Sequence, residues 1–295
     1  MEEWMIRTIT AVLTALAAFS GYLAAAEIGD KPFRAACAQI FVTGDVEVNT
    51  QKYLDFIRQA DEAGADLVVF PEASLSGYGP EHFRDSEMPS RKVLEAALGK
   101  VRNAAREHSI WVIAGTSNWR DGGLYNDIIM IDDTGEVRST YAKVQLTGGD
   151  KQYYQPGMEL KAYSAGAMQY GMQICFDIRF PEPWRVQALM GARVIFHAAQ
   201  ACGNHSWKIP VWEGHLRSRA AENGIWVVSC NAAGPIQMGK SYIIDPDGLL
   251  VAESNQDSEE LITGMVDLSK QNRVGVDTRR TDLYRLLPVD DNEQH

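Results

Sequence analysis

Short apolar runs alternate with stretches of helical spacing along most of the chain. Residues 33–42 predict a strand. Asn49 is placed to cap a helix in which Tyr53, Phe56, Ile57 and Ala60 recur on one face, and Gly64 ends it. Residues 67–70 and 110–114 are continuous apolar runs, the pattern of strands buried on both faces. Between them Ser90 opens a second helix carrying Val93, Leu94, Ala97, Leu98 and Val101. Residues 124–131 and 137–142 predict a hairpin about the Asp-Asp-Thr-Gly turn at 132–135.

The second half repeats the alternation. Residues 172–175 predict a strand, 182–190 a helix, 194–198 a strand, 209–223 a polar-faced helix and 225–230 a strand. Residues 241–244 and 249–252 flank the Asp-Pro-Asp-Gly turn at 245–248, and 261–266 form a last strand before a polar tail from Ser269. Strands that need cover on both faces are best served by two sheets packed face to face, with helices outside. The expectation is one α/β domain with mixed sheets and no sequence repeat.

Composition narrows this picture. The chain has 295 residues, 45% of them hydrophobic, enough for one large core. A net charge of −11 with no basic face argues against a nucleic-acid partner. Residues 1–26 differ from the rest: Arg7 precedes an uncharged apolar run, residues 9–26, that ends in three alanines. That layout predicts a secretory signal cleaved near Ala26, or a membrane anchor if it is retained, with the folded domain at 27–295. Export would make the protein periplasmic or secreted. Cys37 and Cys230 sit in apolar runs and are expected to be buried, and the four cysteines have no disulfide-like spacing.

The chemistry-bearing residues gather at strand ends. Glu72, Lys143 and Cys175 each follow directly on an apolar or strand-like run, and in α/β sheets the pocket lies beyond such ends. A thiol is mostly protonated at neutral pH. Glu72 is suited to take its proton and return it to a leaving amine, while Lys143 favours the thiolate and stabilises the oxyanion, with the Phe176 N–H as a second donor. This is amide hydrolysis through a thioester, without histidine. Other readings compete. His197 or His205 would pair with Cys175 or Cys202 as in thiol proteases, and Cys202 with His205 has a ligand-like spacing but too few partners for zinc.

The set Phe70-Pro-Glu-Ala73, Tyr141-Ala-Lys143 and Cys175-Phe-Asp-Ile-Arg-Phe-Pro-Glu182 resembles the nitrilase, or carbon–nitrogen hydrolase, superfamily. Tyr125-Asn126, Arg219-Ala-Ala-Glu-Asn223 and Asn231-Ala-Ala-Gly234 extend the resemblance, which covers residues 34–268. It implies an α-β-β-α sandwich and a Glu72–Lys143–Cys175 triad, no cofactor, a small-molecule amide as partner, and a homodimer touching near residues 179–190. Tyr78 and Asn126 are further candidates around the site. Asp150 falls where the family usually places a second glutamate, and Gln145 where many members have histidine. Cys175-Phe-Asp177 is similar to the amidase and N-carbamoyl branches rather than to true nitrile hydrolysers. Asp177 and Arg179 are expected to form the turn that admits the amide, Arg179 either gripping a substrate carboxylate or serving as a structural ion pair. Pocket shape is expected from the loops at 77–89 and 200–210. A reading of another class, a non-catalytic binding module on this fold, rests on the Asp150 departure alone.

Overall fold

The computed structural model describes residues 28–283 except 30, 121 and 204. The signal or anchor read at 1–26 lies outside the described residues. The strands are β1 (Phe33–Gln39), β2 (Leu67–Val69), β3 (Trp111–Arg120), β4 (Gly123–Ile131), β5 (Val137–Ala142), β6 (Tyr163–Ala165), β7 (Met168–Ile174), β8 (Val194–Ala199), β9 (Trp226–Asn231), β10 (Tyr242–Ile244), β11 (Leu250–Glu253) and β12 (Glu260–Val266). The α-helices are α1 (Val46–Glu62), α2 (Gly79–His82), α3 (Arg91–His108), α4 (Pro181–Leu189), α5 (Lys208–Asn223) and α6 (Val274–Asp277).

Two six-stranded sheets result, in the orders β12-β1-β2-β3-β4-β5 and β11-β10-β9-β8-β7-β6. In the first, β1, β2 and β3 are parallel, with β12, β4 and β5 added antiparallel. The second has the same plan: β7, β8 and β9 parallel, with β6, β10 and β11 antiparallel. The architecture therefore repeats although the sequence does not.

Alternation within each strand builds three apolar layers. Ala35, Cys37, Leu67, Val69 and Ile113 of one sheet meet Met172, Ile174, Phe196, Val228 and Cys230 of the other. Their neighbours Ala36, Ala38, Val68, Val112 and Ala114 point outward onto Tyr53, Phe56, Ile57, Ala97 and Val101 of α1 and α3. On the opposite flank Ile195 and Val227 pack on Trp184, Trp212, Leu216 and Ala220 of α4 and α5. Sheets covered on both faces explain the continuous apolar runs, and the α-β-β-α sandwich is as expected.

The structure changes some boundaries. Helix α1 starts earlier because Asp45, not Asn49, is the cap: its Oδ1 accepts from Glu47 N at 2.8 Å and Val48 N at 3.2 Å. Asn49 is buried inside the helix and fastens the preceding loop, accepting from Thr43 N at 3.0 Å and donating to Thr43 O at 2.8 Å. Strand β7 begins four residues before the expected position, paired with the unforeseen β6. The turn after Cys175 is a 3₁₀ helix, Cys175–Arg179.

Candidate active site

Glu72 lies just past β2, Lys143 follows β5, and Cys175 follows β7. Two close approaches shape the first two positions. A Cβ at Gly115 would meet Pro71 O at 2.0 Å, so only glycine lets the Glu72 loop lie against β3. A Cβ at Gly157 would meet Ala142 O at 2.3 Å, and Gly157 N donates to Lys143 O at 2.8 Å. Cys175 itself has φ of 39° and Ala73, next to Glu72, has φ of 47°. Left-handed conformations are costly for residues with a Cβ and concentrate at functional sites.

The side chains converge. Lys143 Nζ lies 2.6 Å from Glu72 Oε1 and 2.8 Å from Asp150 Oδ2. Glu72 Oε1 also accepts from Asn126 Nδ2 at 2.8 Å, and its Oε2 accepts from Gln200 N at 2.9 Å. Tyr78 OH donates to Asp150 Oδ1 at 2.7 Å, and Lys143 Nζ sits 5.8 Å from the Tyr78 ring centre. The Cys175 thiol donates to Gln200 O at 3.6 Å and feels the charge of the nearby Glu72 carboxylate. Asp150, shorter than the usual glutamate, still reaches the ammonium; the one sequence hint toward a non-catalytic module therefore loses its force.

Electrostatics separate the roles. Burial disfavours the Lys143 ammonium, but Glu72 and the other groups around it outweigh that and hold its pKa well above the usual lysine value. Burial would raise Asp150; the Lys143 charge and hydrogen bonds from Lys143, Tyr78 and Thr147 bring it below the ordinary carboxylate range instead. Burial, then the Glu72 charge, push the Cys175 thiol well above its usual value, and the Lys143 ammonium only partly offsets them. The expectation that Lys143 favours the thiolate is thus right in direction but not in outcome. The resting thiol is neutral, with a carboxylate beside it.

Histidine has no part in this. His197 is buried, and its Nε2 donates to the Cys175 carbonyl oxygen at 3.2 Å while Nδ1 accepts from Ser229 Oγ at 2.8 Å. Burial lowers its pKa to about 3, so it stays uncharged. It clamps the backbone of Cys175 rather than its sulfur. His205 stacks on Trp207. The cysteine–histidine reading falls.

Cys175 opens onto a cavity of about 870 Å³, with Glu72 and Lys143 buried behind it. Cys175, Gln200, Tyr78, Phe176, Arg179 and Trp212 are among the residues that line it. Parts of both expected loops, at 78–86 and 200–203, line it. Arg179 is exposed, 5.6 Å from the Trp207 ring centre, and has no carboxylate in ion-pair contact among the described residues. Asp177 is a correction: it is fully buried and absent from the cavity wall. Sequence reasoning missed Gln200, which grips Glu72 through its N–H and, by Nε2, the Glu72 carbonyl at 2.7 Å. It also missed the His197 clamp. Gln200 follows directly on β8, so the strand-end rule would have found it.

Comparison with known proteins agrees with this geometry. Residues 34–274 match the carbon–nitrogen hydrolase family. A nitrilase from Pyrococcus abyssi is 29% identical over 75% of this chain and 84% of its own length. A 2-oxoglutaramate amidase from Bacillus subtilis is 27% identical over 84% of this chain and 98% of its own. The structure of a mutant of the amidase from Nesterenkonia sp. AN1, with the acetamide moiety of fluoroacetamide added covalently at its active-site cysteine, superposes with a TM-score of 0.75. It is 26% identical and covers 87% of this chain and 96% of its own. With two sheets of matching plan and a buried carboxylate–ammonium–thiol set at their ends, the chain belongs to the carbon–nitrogen hydrolase family.

Proposed function

We propose that the chain hydrolyses a small linear amide through a thioester on Cys175, with Glu72 as base and Lys143 as oxyanion partner. The observation that carries this is the convergence at the strand ends of the Cys175 thiol, the Glu72 carboxylate whose charge acts on it, and the Lys143 ammonium held by Glu72 Oε1 at 2.6 Å. As Sγ attacks the carbonyl carbon, Glu72 takes the thiol proton, so thiolate never accumulates. The oxyanion is met by Lys143 Nζ and the Phe176 N–H. Glu72 returns the proton to the leaving nitrogen, the C–N bond breaks and ammonia departs. Water then attacks the thioester, Glu72 takes its proton, and the thiol is restored. Lys143 keeps its charge throughout. The acetamide adduct on the cysteine of the mutant Nesterenkonia amidase is an alkylation that shows that cysteine to be nucleophilic, which supports Cys175 as the attacking group.

An acid-bearing amide, including an N-carbamoyl amino acid, is the favoured substrate class within this reading, because Arg179 lines the cavity with no acidic partner among the described residues. Export by residues 1–26 and a homodimer touching near 179–190 belong to the same proposal; fractionation of cells and light scattering test them. The deciding experiment measures ammonia release from aliphatic amides, ω-carboxy amides and N-carbamoyl amino acids, with mass mapping of an acyl adduct on Cys175. No turnover across the panel would leave the fold without this activity.

A further inference from the structure

Asp177 does not face the substrate; it joins the two strands that carry Lys143 and Cys175. Its Oδ1 accepts from Gln145 N at 2.8 Å, and its Oδ2 accepts from Tyr141 OH at 2.8 Å and from Ile174 N at 2.9 Å. Tyr141 and Gln145 stand two residues before and two residues after Lys143, and Ile174 precedes Cys175. β5 and β7 belong to opposite sheets. Farther back from the site, Ser139 Oγ meets Tyr170 OH at 2.7 Å between the same strands and Tyr163 OH of β6 donates to Thr140 O at 3.1 Å, while beside the site Tyr141 OH also reaches Gln173 Oε1 at 3.4 Å.

We propose that Asp177 is a positioning residue: its carboxylate sets the separation between the Lys143 ammonium and the Cys175 thiol across the seam of the two sheets. The proposal rests on the thioester reading above. All three partners of Asp177 are donors, which an acceptor-only carboxylate satisfies and an amide cannot, since its NH₂ would face one of them. A buried anion is tolerated only with such partners. Its neighbour Arg179 points to the cavity while Asp177 points inward, so one short 3₁₀ turn divides substrate contact from alignment of the site.

The test compares Asp177→Asn and Tyr141→Phe with the parent, normalised to folded protein by thermal melts and circular dichroism. Misplacing the oxyanion partner by about 1 Å is expected to lower kcat by about 10²-fold with KM unchanged. Tyr141→Phe, which removes one donor of three, is expected to lower kcat by about tenfold by the same reasoning. Alkylation of Cys175 by iodoacetamide needs the thiol and Glu72 but no oxyanion partner, so its rate is expected to stay within about threefold of the parent. A merely structural role would lower kcat and alkylation together, in step with the folded fraction, and that result overturns the proposal. So does unchanged kcat in either variant. If Asp177→Asn fails to fold, Tyr141→Phe decides alone. A parent that turns over no amide overturns the hydrolase reading itself, and this proposal with it.

Discussion

Glu72 and Asp150 hold one ammonium between them: Lys143 Nζ is 2.6 Å from the first and 2.8 Å from the second, and all three side chains are sealed from solvent. Two anions against one cation leave the buried set one negative charge in excess. That excess keeps Lys143 protonated despite its burial, while burial and then the Glu72 charge keep the adjacent thiol neutral.

Removing the cation therefore unsettles the fold as well as the proposed chemistry. Lys143→Ala strands two buried carboxylates, and breaking a buried pair in this way costs roughly 3–5 kcal/mol. The expected outcome is a lower urea midpoint together with loss of ammonia release. Cys175→Ala, which buries no unpaired charge, is expected to lose turnover with its midpoint retained.

Glu72→Gln keeps the shape of the side chain and removes the proposed base. Ammonia release is expected to fall by about 10²–10⁴-fold, the usual worth of a positioned acid–base group. The Gln200 and Asn126 donors then face an amide rather than a carboxylate, so a modest drop in melting temperature accompanies the loss.

The Cys175 thiol should titrate unlike a free one. Burial and the Glu72 charge hold its pKa up, so the pH dependence of iodoacetamide inactivation is expected to inflect well above the ordinary value near about 8.5. An inflection below that value would mean a thiolate at rest and would contradict the neutral-thiol mechanism.

Asp150 links stability to acid. Its folded pKa lies below the unfolded value of about 3.9, so its contribution is full above that pH and is lost as pH falls through the folded value. Lys143 has the opposite sign: its contribution is full below about pH 10.4 and is lost as pH rises through its raised folded value. Asp150→Asn is expected to be less stable than the parent at pH 6, with the gap closing toward pH 3. Urea titrations across that range measure it.

The sequence displayed Glu72, Lys143 and Cys175 because strand ends are local features. It also displayed Asp150 and Asn126 through motifs beside those ends. It could not display the inward turn of Asp177 or the His197 clamp, since both depend on the register of one sheet against another. Strand β3 runs past its apolar stretch because beyond Ala114 its buried side chains become polar, Thr116 and Ser117, with Ser117 held by hydrogen bonds to Ser76 and Tyr154. Helix α2, four residues beginning Gly-Pro, has no periodicity to read. The cap of α1 went to Asp45 because two good cap residues stand four apart, and only packing decides which one is free for the role.

Glu72 and Lys143 come from one sheet and Cys175 from the other, so neither half of the sandwich holds a working set. Turnover is therefore a count of docked sandwiches, not of folded sheets. An intermediate with both sheets formed but water between them is silent as a hydrolase. Its thiol, no longer desolvated, returns to ordinary acidity. In mild denaturant, ammonia release and thiol reactivity then report opposite populations, and the chain carries its own gauge of how firmly its two halves are joined.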